Sequence, residues 1–168
     1  ISGGILYDWG VHLLEYSLQI LKGKKVVEVS GFSKTGYWGP KTAWKQDAIE
    51  DEAQAVVRFD DGTWLTLTLT SLDSNHKRGV LEITGEKGTY IMDHNNYEII
   101  LPGENATHVE KGKCVESQSW KFYQNVADHL IRGKELVITG EWARRPIHIL
   151  DLAIQSAKSG KALKARYS

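Results

Sequence analysis

One cysteine, one methionine and three prolines among 168 residues leave little of the chemistry that staples or breaks a fold. Cys114 has no partner within the chain, so a disulfide framework of the secreted kind is excluded and a reducing cytoplasm is the expected setting. Charge of one sign is lacking too. Twenty-one basic and 21 acidic residues cancel, so no field gathers nucleic acid or an anionic membrane surface. The longest apolar stretch, Ile5 to Leu21, is interrupted by Asp8, His12, Glu15 and Gln19, and no basic segment precedes it. It reads as neither signal peptide nor membrane span. No G-x-G-x-x-G loop follows a strand, so no dinucleotide phosphate cradle is expected in these residues. The chain opens on Ile1 and its only methionine is Met92, so it is expected to be a fragment.

What is present suffices for one compact domain, which at this length buries roughly 70% of the surface its unfolded chain exposes. A first helix is predicted from Ile5 to Lys22, closed by Gly23. Its polar residues Asp8, His12, Glu15, Gln19 and Lys22 recur at steps of four and three, one stripe on an otherwise apolar helix. From Val26 the period changes to two. Ala53–Phe59 and Thr63–Leu72 flank Asp60-Asp61-Gly62, a hairpin signal, and the second strand sets Leu65, Leu67 and Leu69 against Trp64, Thr66, Thr68 and Thr70. Further strands are predicted at Val80–Thr84, Thr89–Met92 and Tyr97–Leu101. A helix through Trp120, Tyr123, Ala127, Leu130 and Ile131 stops at Gly133. A last helix ends at Gly160, beginning at Pro146 or capped earlier by Thr139, and a short strand follows near Ala162–Ala165. The order is that of an α+β fold: a mostly antiparallel sheet with helices packed on one face, the other face half-polar and available for oligomerisation.

Asp8 and His12 are the residues that carry chemistry. Four apart on a helix, a carboxylate and an imidazole share a face, and the carboxylate raises the basicity of the ring toward the range where it takes a proton from a hydroxyl. The bland alternative is a solvated stripe. Gly10 between them costs about 1 kcal/mol relative to alanine inside a helix, so something should approach the backbone there. Trp9 is a candidate pocket residue, although beside Leu6 and Leu13 a tryptophan also reads as core or interface packing. Trp120 has a core-like pattern. Asp93, His94 and Asn95 crowd one turn too closely to enclose a metal, and Glu50, Asp51 and Glu52 read as a solvated strand entry, so no metal site is expected.

The run Gly3-Gly4-Ile5-Leu6-Tyr7-Asp8-Trp9-Gly10-Val11-His12 resembles the D-x-G-x-H segment opening the C-terminal domain of the Gfo/Idh/MocA oxidoreductases, the family of glucose-fructose oxidoreductase and inositol dehydrogenase. Glu50-Asp51-Glu52-Ala53 with Asp61-Gly62 is similar to that family's hairpin, Leu81–Gly85 with Gly88 to its next strand and turn, and Ser156–Lys161 to its closing helix. The resemblance implies that residues 1–168 are one substrate and oligomerisation domain, the nucleotide-binding Rossmann domain lying outside it. It further implies that His12 is the acid/base at a substrate hydroxyl and that Asp8 pairs with it. His76 falls in a segment resembling one that lines the family's substrate, against its ordinary reading as an exposed loop residue. Where the family has an aspartate three residues past the histidine, this chain has Glu15, which keeps the charge.

The implied activity is NAD- or NADP-dependent dehydrogenation of a secondary hydroxyl on a sugar, sugar acid or cyclitol. The cofactor would be held mainly by the absent domain, and this fragment alone would be inactive. The implied partners are the sugar or polyol, the chain's own Rossmann domain, and further copies in a homodimer or homotetramer through the sheet face. Two alternatives stay open: a non-catalytic carbohydrate-binding or oligomerisation module, and an NAD-dependent glycosidase of the same family.

Overall fold

The computed structural model describes residues 3–75 and 77–166. They fall into two compact units, one comprising residues 1–75 and 143–168 and the other residues 76–142. In the first, a π-helical turn, Leu6–Gly10, runs straight into α1, Val11–Ile20. Three strands follow: β1 (Val26–Lys34), β2 (Glu52–Phe59) and β3 (Trp64–Thr70). The second unit is a meander of β4 (Leu81–Gly85), β5 (Gly88–Met92), β6 (Asn96–Pro102) and β7 (Thr107–Lys113), then α2 (Trp120–Arg132). The chain returns to the first unit along α3 (Gly140–Ser159) and ends its described course with β8 (Leu163–Lys164).

The fold is α+β, with its antiparallel strands divided between two four-stranded sheets, ordered β3-β2-β1-β8 and β4-β5-β6-β7. Period-two patterning sets the first sheet's faces. Ala55 pairs with Leu67 and Val57 with Leu65 on the side that packs against α1 and α3, while Gln54 pairs with Thr68 and Val56 with Thr66 on the other. Leu14 and Leu18 of α1 and Ile149, Leu150 and Ala153 of α3 close the core over Val29, Ala55, Val57 and Leu67. Each fully buried leucine or isoleucine there contributes about 1.5–3 kcal/mol. Trp64 and Phe32 remain exposed. At the start of β1 a bulge between Val26 and Glu28 interrupts the period-two pattern, and Val27 is exposed.

Gly31 marks the closest approach of helix to sheet. It is buried in β1, its N–H donates to the buried Ser156 hydroxyl of α3 at 2.9 Å, and a methyl group in place of its hydrogen would run into the Ala153 carbonyl. α3 begins at Gly140, where Thr139 Oγ1 accepts the Trp142 N–H at 3.1 Å, so the threonine-capped alternative holds and Pro146 sits inside the helix, buried.

Three expectations need correction. The polar stretch after Leu101 contains a strand, β7, paired along its whole length with β6. Trp120 is not core: it is 61% exposed, and no residue of α2 is buried. Asp51 is not solvated. At 1% exposure its carboxylate accepts the N–H groups of Tyr37 (2.7 Å) and Trp38 (3.0 Å), pinning the loop between β1 and β2, because a buried carboxylate must be hydrogen-bonded.

Candidate active site

The turn that carries the candidate residues is held from behind. Leu6, Gly10, Leu14 and Leu18, spaced by four, are buried along one side of the first helix, which leaves Asp8, Trp9 and His12 on the exposed side. Gly10 admits close neighbours, and they belong to the protein: a Cβ there would lie 3.1 Å from a Leu150 methyl, 3.2 Å from Leu67 and 3.3 Å from Leu69. The glycine presses the helix onto β3 and α3; its place is structural.

The π-helical geometry was not foreseen. Single π turns inside helices are frequent at functional sites, and here the wider turn spans Asp8 and Trp9 before α geometry resumes at Val11. Asp8 and His12 both reach solvent, yet no hydrogen bond or ion pair joins them among the described residues. The ring beside His12 is that of Trp9, edge-on with centroids 6.3 Å apart and planes at 61°. Trp9 is 60% exposed, so it neither packs in the core nor shields the imidazole. His76 lies outside the described residues.

The helix start is already occupied. Gly3 and Gly4 take φ of +84° and +120°, and the Glu50 carboxylate accepts the Ile5 N–H at 3.1 Å. This acid therefore neutralises the positive end of the helix, and the site is no anion cradle. On the flank, the Tyr7 hydroxyl donates to Asp151 at 3.4 Å, and Gln155 donates to the same carboxylate at 2.7 Å. Burial, followed by the charge of Asp151, pushes the Tyr7 phenol above its ordinary value, so it stays protonated as a donor. Sequence reasoning missed Glu50 as a partner of the helix. The signal was there in Gly4, whose missing Cβ leaves the space that the Glu50 carboxylate fills.

Elsewhere, the second unit has an open depression of about 390 Å³, lined by Arg78, Asp93, Tyr97, Glu98, Lys111 and Lys113 among others and containing none of the first helix's residues. Glu98 already pairs with Arg78 at 2.6 Å and with Lys111 at 3.2 Å. Asp93 accepts the N–H groups of Asn95 and Asn96, both at 2.7 Å, and these bonds hold its carboxyl below the usual range and fix the β5–β6 turn. Among the described residues no group of three or more His, Cys, Asp or Glu side chains is arranged to hold a metal ion. Nor is any helix among them long and apolar enough to cross a membrane.

Residues 1–165 match the Oxidoreductase family, C-terminal alpha/beta domain. No curated protein matches. Among solved structures, an NAD-binding protein from Listeria innocua superposes with a TM-score of 0.72 at 21% identity, over 97% of this chain and 48% of its own. An NAD-binding oxidoreductase from Klebsiella pneumoniae gives 0.73 at 17% identity, over 97% and 51%. An oxidoreductase from Agrobacterium radiobacter, solved with NAD+, L-tartaric acid and magnesium, gives 0.68 at 18% identity, over 98% and 50%. The chain thus spans about half the length of these solved proteins.

Proposed function

This chain belongs to the Gfo/Idh/MocA oxidoreductase family, matching its C-terminal alpha/beta domain, and from that premise we propose that it supplies the acid/base half of an NAD(P)-dependent dehydrogenase. The substrate is a secondary alcohol on a sugar, sugar acid or cyclitol. The observation that carries the reading is an exposed Asp8, Trp9 and His12 on a helix whose opposite side is fixed in the core. Such a site is rigid behind and open in front, as catalytic groups on a scaffold need to be.

His12 takes the hydroxyl proton as the carbinol carbon is oxidised, and the ring then carries the positive charge. Asp8, on the same side of the helix, accepts a hydrogen bond from the substrate and stabilises the imidazolium through space. Trp9 offers a flat apolar surface to the C–H face of the ring being oxidised. NAD(P), when bound, would supply the hydride acceptor. An exposed indole beside an imidazole suits the alcohol end of that reaction, while the groups that grip the dinucleotide belong to a nucleotide-binding domain outside residues 1–168. The open outer face of the first sheet, with Trp64 and its threonines, supports assembly into a homodimer or homotetramer.

In the full-length protein His12→Ala should lower kcat by roughly 100-fold or more and leave NAD(P) affinity, measured by fluorescence titration, close to the parent value. Unchanged turnover would remove His12 from the mechanism and leave a carbohydrate-binding module as the better account.

A further inference from the structure

α2 is an amphipathic helix turned the wrong way round. Its apolar residues Trp120, Phe122, Tyr123, Leu130 and Ile131 lie on one half of the cylinder, and Lys121, Asn125, Asp128, His129 and Arg132 on the other. The polar half is the one in use. Asn125 donates to the Glu135 carbonyl and accepts the Val137 N–H, both at 2.9 Å, while the His129 ring meets the Lys134 carbonyl at 2.6 Å and Lys134 pairs with Asp128 at 2.8 Å. The segment after the helix therefore folds back over the polar side and leaves the apolar side bare: Leu130 is 78% and Ile131 81% exposed.

A helix of 13 residues with no side-chain cap at its start is marginal on its own in water. Its exposed apolar side chains add up to roughly 600 Å², at the upper end of what a monomer leaves open. With a matching face on its partner it would bury about 1,200 Å² in all, within the roughly 600–1,500 Å² of an interface between domains of one chain and short of the roughly 2,000 Å² or more of an obligate dimer. The solved proteins that share this fold are about twice as long, and the matched region is the C-terminal domain of its family.

We infer that the apolar half of α2 is the seat of the N-terminal, nucleotide-binding half of the same polypeptide. The inference rests on the functional reading above for the existence of that half. Trp120 and Tyr123 cover one end of the seat, Leu130 and Ile131 the other, and the polar half stays with its own loop. Docking there would order the helix and fix the second unit against the cofactor-bearing half.

The test is amide hydrogen exchange in the full-length protein, read by mass spectrometry. Residues 120–132 should be protected, with protection unchanged on tenfold dilution. Leu130→Asp with Ile131→Asp should speed exchange by tenfold or more, both in that segment and in at least one peptide of the N-terminal half. Exchange at the unfolded rate in the parent protein overturns the inference. So does protection that fades on dilution, which would identify a second copy as the occupant, or a variant effect confined to residues 120–132. None of these readouts requires turnover. A failed His12→Ala test with α2 protected leaves the docking in place, and the converse leaves the chemistry in place.

Discussion

Adding one methyl group at Gly31 tests how the first unit is assembled. The ideal Cβ position collides with the Ala153 carbonyl, a backbone atom that no rotamer change can move. Either α3 retreats from the sheet or β1 bends, and in both cases the 2.9 Å bond from the Gly31 N–H to Ser156 Oγ lengthens or breaks. Overpacking a tight core costs about 1–3 kcal/mol, and a buried hydrogen bond about 1 kcal/mol more. Gly31→Ala should therefore lose about 2–4 kcal/mol, a large share of the roughly 5–15 kcal/mol that holds a domain folded. For a chain of this size each kcal/mol lowers Tm by about 2–4 °C, so a drop on the order of 10 °C is expected. Urea denaturation followed by circular dichroism would measure the free-energy loss, and a thermal melt the fall in Tm. Gly140→Ala is the control, since a Cβ there meets open space; it should stay within about 0.5 kcal/mol of the parent. Ser156→Ala removes the acceptor alone and should cost about 1–2 kcal/mol. A Gly31→Ala protein as stable as the Gly140→Ala control would refute the close approach of α3 to β1.

Two other predictions concern carboxylates. Asp51→Ala strips two backbone N–H groups of their acceptor and should cost about 2–3 kcal/mol in the same urea assay, with new protease cleavage between residues 36 and 48; an intact loop would show that Asp51 does not pin it. The Asp61 carboxyl is held down at about 2, chiefly by its hydrogen bond from Lys24 and then by Thr63. A depressed carboxyl stabilises the fold fully above its unfolded value of 3.8 and loses that contribution as pH falls through about 2. Lys24→Met should raise the Asp61 titration midpoint, followed by carboxyl-carbon NMR, toward 3.8 and make stability less steep between these two pH values; an unmoved midpoint would remove Lys24 as the cause.

Much of the fold was legible because its signals are local. The Asp60-Asp61-Gly62 turn sits between β2 and β3 with Gly62 at φ +85°, and α2 ends at Gly133 in the left-handed conformation. Period two in Leu65, Leu67 and Leu69 named the inner face of β3. β7 was invisible for a physical reason: an outer strand of a sheet with little core needs no apolar side, so His108, Glu110, Lys111 and Lys113 carry no alternation. Trp120 was misplaced because periodicity tells which residues share a side, never what covers that side. At the site, the exposure of Asp8 and His12 followed from their polar stripe. The π turn carries no local signal, and the neighbours of Gly10 within it, Leu67, Leu69 and Leu150, are remote in sequence. Gly31 carries a signal of its own, since a glycine within a strand marks close approach by another backbone.

β7 has a consequence for how the protein behaves at high concentration. Along its free edge runs a ladder of unpaired amide and carbonyl groups, the kind of template onto which a stray strand can add. Lysines at 111 and 113 and the glutamate at 110 stud that ladder, and an incoming neutral strand would have to strip their water before it could bond. The charge that leaves this strand without an apolar pattern also raises the cost of adding a further strand to the second sheet.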